Sequence, residues 1–170
     1  MLDACDTLGM YVMDETFDMW RIKKNPYDFG GDTFEAWWKE DTAAMISKDY
    51  NHPSVVMYSI GNEITDLGLP DGQALARTMV DFCHGLDRTR PVTAGINLML
   101  AMMAGGKNSI YGTDEDGKVK DSGAGGMDNL PTSEFFNIMM NKMGSIMNRV
   151  ASSKKANAVA EVMTTIFDIP

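Results

Sequence analysis

Cysteine is scarce in this chain of 170 residues, which contains only Cys5 and Cys83. The two lie far apart in the sequence, and neither has a second metal-ligating residue at the spacing of a zinc site. Cys83 is followed directly by His84, but adjacent side chains on a helix point about 100° apart, which disfavours a shared metal ion. We therefore expect two buried thiols and no zinc site.

Long apolar runs and basic side chains are also lacking. No run reaches the roughly 18 apolar residues of a membrane helix, and the first residues lack the basic and then apolar segments of a secretory signal. Aspartate and glutamate together number 24 against 15 lysines and arginines, which gives a net charge of -9. Because this charge repels nucleic-acid phosphates and anionic lipid headgroups, we expect neither nucleic acid nor membranes as partners.

What the chain does contain is an alternation of short apolar runs with helical patterns. Its length and its 44% of hydrophobic residues fit a single globular domain. The first helical pattern stops at Gly9, a residue that commonly ends helices. Three apolar runs then end abruptly in polar residues, and a fourth begins near the end of the chain. The predicted strands lie near residues 10–15, 54–61, 92–97 and 165–169.

This alternation predicts an α/β fold with a parallel sheet and right-handed crossovers. A doubly wound sheet is disfavoured, because no strand is followed by the glycine-rich phosphate turn of that fold. An eight-stranded barrel places functional groups at the carboxyl ends of its strands, as seen here, but needs about 250 residues. We therefore predict that residues 1–170 form a partial (β/α)8 TIM barrel, about half of the complete domain.

Glu63 is the sharpest functional signal in the sequence. It follows Asn62 at the carboxyl end of a predicted buried strand, where apolar walls such as Tyr58 would raise the pKa of its carboxyl group. A general acid that protonates a glycosidic oxygen needs such surroundings. The alternative is that Glu63 only caps the following helix or pairs with a basic residue.

Two longer segments carry a family resemblance. Residues 2–15, ending in Asp14-Glu15, and residues 51–63, ending in Asn62-Glu63, closely resemble the catalytic barrel of glycoside hydrolase family 2, which includes β-galactosidases, β-glucuronidases and β-mannosidases. Residues 90–95 resemble the next strand of that barrel. The resemblance implies that Glu63 is the catalytic acid/base and that Asn62 hydrogen-bonds the sugar 2-hydroxyl group.

The chain also departs from that family. The nucleophilic glutamate, the two strands before the Asp-Glu motif and the strands after the fourth run have no counterpart here. Tyr58 stands where many members have tryptophan. Met19 and Arg21 stand where metal-using members have glutamate and histidine. We therefore expect no metal and no other cofactor.

Further residues are predicted to bind substrate, each with a simpler alternative. The resemblance implies that Asp14 and Glu15 lie at the pocket, where they would shape it or contact the sugar; the alternative is an ion pair with a lysine or arginine near the barrel mouth. Trp20 would stack on a sugar ring, as would Tyr27, unless these loop aromatics serve packing alone.

The resemblance implies a fragment of a retaining glycosidase that acts on β-linked glycosides, with β-galactosides as the expected substrates. By itself the fragment should be inactive, because it lacks the nucleophile, and should form a homo-oligomer through its open strand edges. Two alternatives remain at this stage: a non-catalytic sugar-binding or assembly module, and another retaining barrel glycosidase of the mannanase or cellulase type. The sequence fits a cytoplasmic or a periplasmic protein equally.

Overall fold

Helices and parallel strands alternate along the chain. The computed structural model describes residues 1–24, 27–104, 141 and 152–169. In chain order the elements are α1 (Leu2–Leu8), β1 (Val12–Glu15), α2 (Asp32–Asp49), β2 (Val55–Asn62), a 3-10 helix (Thr65–Gly68), α3 (Pro70–Leu86), β3 (Val92–Gly95), α4 (Leu98–Met103) and α5 (Lys154–Thr164).

The three strands form one parallel sheet in the order β1-β2-β3. Tyr58 in the middle of β2 lies beside Asp14 of β1 and Val92 of β3. Each crossover contains a helix, α2 between β1 and β2 and α3 between β2 and β3. The predicted α/β fold with parallel strands is confirmed, and the sheet is open.

The hydrophobic core lies between one face of this sheet and the helices. Tyr58 and Ile60 of β2 have no exposed surface, and they pack in one cluster with side chains of α2 and α3 such as Trp38 and Met79. On β1, which alternates in burial, Met13 is 55% exposed and points to the opposite side. We call that opposite side the open face; its register row joins Glu15, Ser59 and Thr93.

The predicted fourth strand at residues 165–169 is wrong. Helix α5 continues to Thr164, and the backbone amides of Ile166 and Phe167 still donate to the carbonyl oxygen of Met163, at 3.0 and 3.1 Å. The segment reaches β3 through the amide of Asp168, which donates to Val92 O at 3.1 Å. Because the helix end uses the preceding amides, this bond does not extend into a ladder.

The length and polarity of the helices show whether any of them could cross a membrane. Within the described parts of the chain, no helix combines the length and the apolar composition needed to cross a bilayer.

Candidate active site

Polar side chains from three loops meet at the carboxyl ends of β1, β2 and β3. We call this group the strand-end cluster; it consists of Asp18, Lys24, Asn62, Glu63 and Asn97. Parallel strands bring their carboxyl ends to one edge of the sheet, which explains why residues so distant in sequence become neighbours.

Glu63 lies just after β2 in an unusual backbone conformation. Its φ angle is 48°, in the left-handed region that a residue with a Cβ atom adopts only at a cost of about 1–3 kcal/mol. Its amide donates to Gly95 O at 2.7 Å, and its carboxylate Oε1 accepts a hydrogen bond from Asn97 Nδ2 at 2.9 Å. The side chain is half-buried. Backbone and carboxylate are therefore both fixed by β3 and the residues that follow it.

Gly95 makes this close approach possible. A Cβ atom at its position would lie 3.1 Å from Asn62 Oδ1 and 3.3 Å from Asn62 Cα. A side chain here would push the end of β2 away from β3, and with it the amide of Glu63.

Asn62 is held at three points. Its amide donates to Phe17 O at 2.9 Å, its side-chain Nδ2 donates to Asp18 Oδ1 at 2.9 Å, and its carbonyl oxygen accepts a hydrogen bond from Lys24 Nζ at 2.9 Å. The residue predicted to contact the sugar is thus rigidly placed beside Glu63.

Asp18 and Lys24 were not predicted from the sequence. Lys24 is buried and its Nζ lies 2.9 Å from Asp18 Oδ1. Although partial burial by itself raises the pKa of Asp18, the hydrogen bonds from Asn62 and Lys24 lower the pKa below its ordinary value and keep the carboxylate ionised. The signal available beforehand was the position of Asp18, three residues after the strand that ends in Glu15.

Glu15 is exposed on the open face, and its Oε2 accepts a hydrogen bond from Ser59 Oγ at 2.6 Å. This is the face that would line the inside of a closed barrel. The structure therefore leaves Glu15 where a bound sugar could reach it.

Asp14 lies on the other side of β1 and is not part of the strand-end cluster. Its Oδ2 pairs with Lys48 Nζ of α2 at 2.7 Å, and Lys48 also pairs with the buried Asp49. Partial burial opposes ionisation of Asp14, but the hydrogen bond and charge of Lys48 and the hydrogen bonds from Asp49 and the Glu15 amide together outweigh it and lower the pKa of the carboxyl group. The predicted substrate contact of Asp14 is thus corrected to an ion pair with a helix, because alternate residues of a strand face opposite sides.

Trp20 is fully buried, which corrects the prediction that it stacks on a sugar. Its indole Nε1 donates to Ile60 O at 2.8 Å, and its ring stacks on that of Phe34 with centroids 6.3 Å apart and an angle of 24° between the ring planes. Once the loop folds back over the sheet, burial of the apolar ring in the core is more favourable than its exposure to solvent. Tyr27 remains 94% exposed.

A group of possible metal ligands lies at the amino-terminal end of β2, opposite the strand-end cluster. Ligand atoms of Asp3, Asp6 and His52 lie within 4.8 Å of one another. Asp6 is already occupied by protein groups, accepting from Ser54 N at 2.9 Å and contacting His52 Nδ1 at 2.6 Å. These hydrogen bonds lower the pKa of Asp6 to about 2. We interpret the group as an anchor between α1 and the start of β2.

The comparisons with known proteins agree with this architecture. Residues 1–120 match the family model of the TIM barrel domain of glycosyl hydrolases family 2. A beta-galactosidase of Bacteroides ovatus, BoGH2A, is 38% identical over 128 residues, which cover 57% of this chain and 15% of the relative. A putative beta-glucuronidase of Formosa agariphila is 43% identical over 93 residues, or 55% of this chain and 8% of the relative.

A solved structure is similar as well. A glycosyl hydrolase family 2 member from Bacteroides cellulosilyticus superposes with a TM-score of 0.54 and 50% sequence identity, covering 56% of this chain and 12% of that chain. The chain thus spans a small fraction of the length of the proteins it matches. The family resemblance and the partial barrel predicted from the sequence are confirmed: the chain belongs to glycosyl hydrolase family 2, and it carries part of that family's TIM barrel domain.

Proposed function

We propose that this chain is part of a retaining β-glycosidase in which Glu63 is the general acid/base. The observation that carries the proposal is the position of Glu63 at the carboxyl end of β2, with its carboxylate held by Asn97 Nδ2 at 2.9 Å. In a barrel of this kind, the carboxyl ends of the strands form the active site. Family membership supports the same role.

The chemistry requires two carboxyl groups about 5–5.5 Å apart. Glu63 would donate a proton to the glycosidic oxygen while the second carboxylate attacks the anomeric carbon and forms a glycosyl-enzyme. Glu63 would then remove a proton from the water that hydrolyses this intermediate. The nucleophile would come from a barrel strand outside residues 1–170 of the longer protein.

The neighbouring residues have distinct roles in this proposal. Asn97 orients the carboxylate of Glu63, and Asn62 presents its side chain to the 2-hydroxyl group of the sugar. Glu15 contacts the substrate from the open face. No metal or other cofactor takes part.

For the substrate, we propose β-galactosides. One relative is named a beta-galactosidase and another a putative beta-glucuronidase. A uronic acid carries a carboxylate that a cation must bind. The lysine of the strand-end cluster, Lys24, is already bonded to Asp18 and to Asn62 O, which favours a neutral sugar at this part of the site.

We further propose that all 170 residues belong to one partial barrel domain. Helix α5 packs on α4, and the amide of Asp168 bonds to β3. These contacts tie the last described segment to the sheet. Alone, this domain would hydrolyse no glycoside and would associate with further copies of itself.

The test is the substitution Glu63→Gln in the full-length protein that carries this segment. We expect turnover of an unactivated disaccharide to fall by about 10²–10⁴-fold, since proton donation to the leaving group is lost. Aryl glycosides with acidic leaving groups should lose far less in kcat/KM, which reports the step in which the leaving group departs. Glu40→Gln, on the exposed side of α2, is the matched control and should leave turnover unchanged. Equal disaccharide hydrolysis by Glu63→Gln and wild type would remove the assignment.

A further inference from the structure

We propose that Lys24 is a positioning residue that sets the backbone conformation of Glu63. This inference rests on the proposed role of Glu63 as acid/base. Lys24 has 7% of its surface exposed and lies in the loop between β1 and α2. It touches no reacting atom in the proposal; it acts through the peptide unit that joins Asn62 to Glu63.

Both polar groups of that peptide unit are bound. Lys24 Nζ donates to the carbonyl oxygen of Asn62 at 2.9 Å, and the amide of Glu63 donates to Gly95 O at 2.7 Å. The carbonyl and the amide belong to one rigid plane, because the peptide bond does not rotate. Fixing both ends fixes the tilt of the plane, and this tilt sets the φ angle of Glu63.

The φ angle of Glu63 needs such support. At 48° it lies in a region that non-glycine residues adopt only where surrounding contacts over-determine the backbone. Without the bond from Lys24, the peptide plane can rotate toward an unstrained conformation. The carboxylate of Glu63 would then move away from Asn97 Nδ2, its hydrogen-bond donor at 2.9 Å.

Asp18 makes a buried lysine tolerable at this place. An ammonium group removed from water needs a counter-charge, and Asp18 Oδ1 lies 2.9 Å from Lys24 Nζ. The same Oδ1 accepts a hydrogen bond from Asn62 Nδ2. The two partners of the ion pair therefore both bind Asn62: Asp18 accepts from its side chain, and Lys24 donates to its backbone carbonyl oxygen.

The loop that carries Lys24 is anchored next to Glu63 by Asp66 of the 3-10 helix. The amides of Arg21 and Ile22 both donate to the carboxylate of Asp66, each at 3.2 Å. This buried carboxylate ties the loop to the segment that directly follows Glu63. The segment that follows Glu63 thus holds the loop of Lys24 in place, and Lys24 in turn holds the peptide unit that precedes Glu63.

The first readout is the dependence of activity on the leaving group, measured in the full-length protein with Lys24→Met. A misplaced acid/base reduces hydrolysis of unactivated glycosides more than hydrolysis of activated aryl glycosides. We expect kcat on the disaccharide to fall at least tenfold, with KM changed less. On a dinitrophenyl glycoside we expect kcat/KM, which reports formation of the glycosyl-enzyme, to fall no more than about threefold. Lys23→Met makes the same chemical change one residue away and should match the wild type. Equal losses on both substrates would mean that Lys24 only stabilises the fold, and would overturn the proposal.

The second readout follows the backbone directly and needs no activity. Hydrogen–deuterium exchange of the peptide containing the Glu63 amide should become at least tenfold faster in Lys24→Met, while peptides of α3 keep the wild-type rate. Unchanged exchange at Glu63 would overturn the positioning role even if Glu63→Gln abolishes turnover. Full turnover in Glu63→Gln would overturn the proposed function whatever the exchange rates.

A milder variant covers the case that Lys24→Met does not fold. Asp18→Asn keeps the shape of the side chain but removes the charge that anchors Lys24, and the Asp18 side chain is 55% exposed. It should shift the leaving-group dependence and the exchange rate in the same direction, to a smaller extent. No shift in either measurement would contradict the proposal.

Discussion

Asp87 organises the amino-terminal ends of β2 and β3, opposite the strand-end cluster. Its buried carboxylate accepts hydrogen bonds from Tyr58 Oη at 3.0 Å, from Thr89 N at 2.8 Å and Oγ1 at 2.6 Å, and from Arg90 Nη1 at 2.7 Å. Arg90 in turn donates to Val55 O at 2.6 Å. Contacts at this end of a barrel stabilise the fold, whereas the opposite end carries the active site.

A substitution of Asp87 should therefore act on stability in a pH-dependent manner. Burial alone would raise the pKa of Asp87, but its hydrogen bonds lower the pKa to about 2. A depressed pKa stabilises the folded state above the unfolded value of about 3.9, and this contribution disappears as the pH falls toward 2. We expect Asp87→Asn to lower the free energy of unfolding by about 2–3 kcal/mol at pH 7, because Arg90 is left without its counter-charge.

Urea unfolding at fixed protein concentration measures this effect between pH 7 and pH 3. The difference between Asp87→Asn and wild type should narrow below about pH 4. Asp81→Asn, on the exposed side of α3, is the control and should stay within about 0.5 kcal/mol of the wild type. A deficit that stays constant down to pH 3 would show that the charge of Asp87 is not its source.

For single residues, the sequence predicted positions at the end of a strand better than positions within a loop. Asn62 and Glu63 directly follow an apolar run, so their place at the edge of the sheet follows from strand geometry. Because successive residues of a strand face opposite sides of the sheet, Asp14 and Glu15 must lie on different faces. The sequence contains no marker of which face packs against the helices and which is the open face. Trp20 and Lys24 depend on how the loop between β1 and α2 folds back, which no local pattern encodes.

Among the elements, the 3-10 helix after Glu63 is packed unusually closely between two α-helices. A Cβ atom on Gly72 of α3 would lie 2.0 Å from Asp66 O, and one on Gly68 would lie 1.7 Å from Ala101 O of α4. Glycine is required at these two contacts because backbone meets backbone. The position of the 3-10 helix that follows Glu63 thus depends on the absence of a side chain at Gly68 and at Gly72.

The two glycines of α3 should consequently respond in opposite ways to the same substitution. Gly72→Ala forces the 3-10 helix away from α3, and we expect it to cost about 2 kcal/mol or more of stability. A Cβ atom on Gly85 meets nothing within 4 Å, so Gly85→Ala should stabilise the protein by about 0.5–1 kcal/mol through helix propensity. Thermal unfolding of both variants is the measurement. A stabilising Gly72→Ala would refute the close packing described here.

The elements show where pattern reasoning works and where it fails. Apolar runs ending in polar residues correctly located β1, β2 and β3, and Gly9 ends α1 with a φ angle of 66°. The fourth run, Ile166-Phe167, is equally apolar but is used differently. Its two side chains are buried in the core at the end of α5, while its amides complete the helix. A short apolar run has no periodicity of its own, so the preceding helix determined its conformation.

At the scale of the whole molecule, the dominant feature is an open sheet. Within the described residues, no strand pairs with the outer edge of β1. Large apolar side chains are exposed nearby, including Tyr11 at 86% and Met13 at 55%. In the relatives, of which this chain spans 15% or less by sequence, the remaining strands of the barrel would cover such surfaces. The family could be predicted from two motifs, but what covers the open face could not.

The open site leads to a prediction about activity. Glu63 is only half-buried, and within the described part of the chain its carboxylate accepts a hydrogen bond from Asn97 Nδ2. Retaining hydrolysis needs two carboxyl groups and a pocket that excludes bulk water but admits the water molecule that hydrolyses the glycosyl-enzyme. We expect the 170-residue chain alone to release no detectable nitrophenol from an aryl β-galactoside. Measurable nitrophenol release by the pure 170-residue chain would contradict this expectation.

The last prediction is that the isolated chain associates with itself through β1 and the open face. An unpaired parallel edge and exposed apolar side chains are together a surface for pairing with a second copy, and twofold pairing is the commonest solution. Light scattering at micromolar concentration should give at least twice the monomer mass of 18.7 kDa. The double substitution Tyr11→Lys and Met13→Lys places charge on this surface and should shift the mass toward that of the monomer. The control is the same change at two other exposed aromatic residues, Trp37 in α2 and Tyr50 directly after it, which should leave the mass unchanged. A monomeric wild-type chain would show that the open sheet is stable in water without a partner, and that the apolar residues of β1 need no cover.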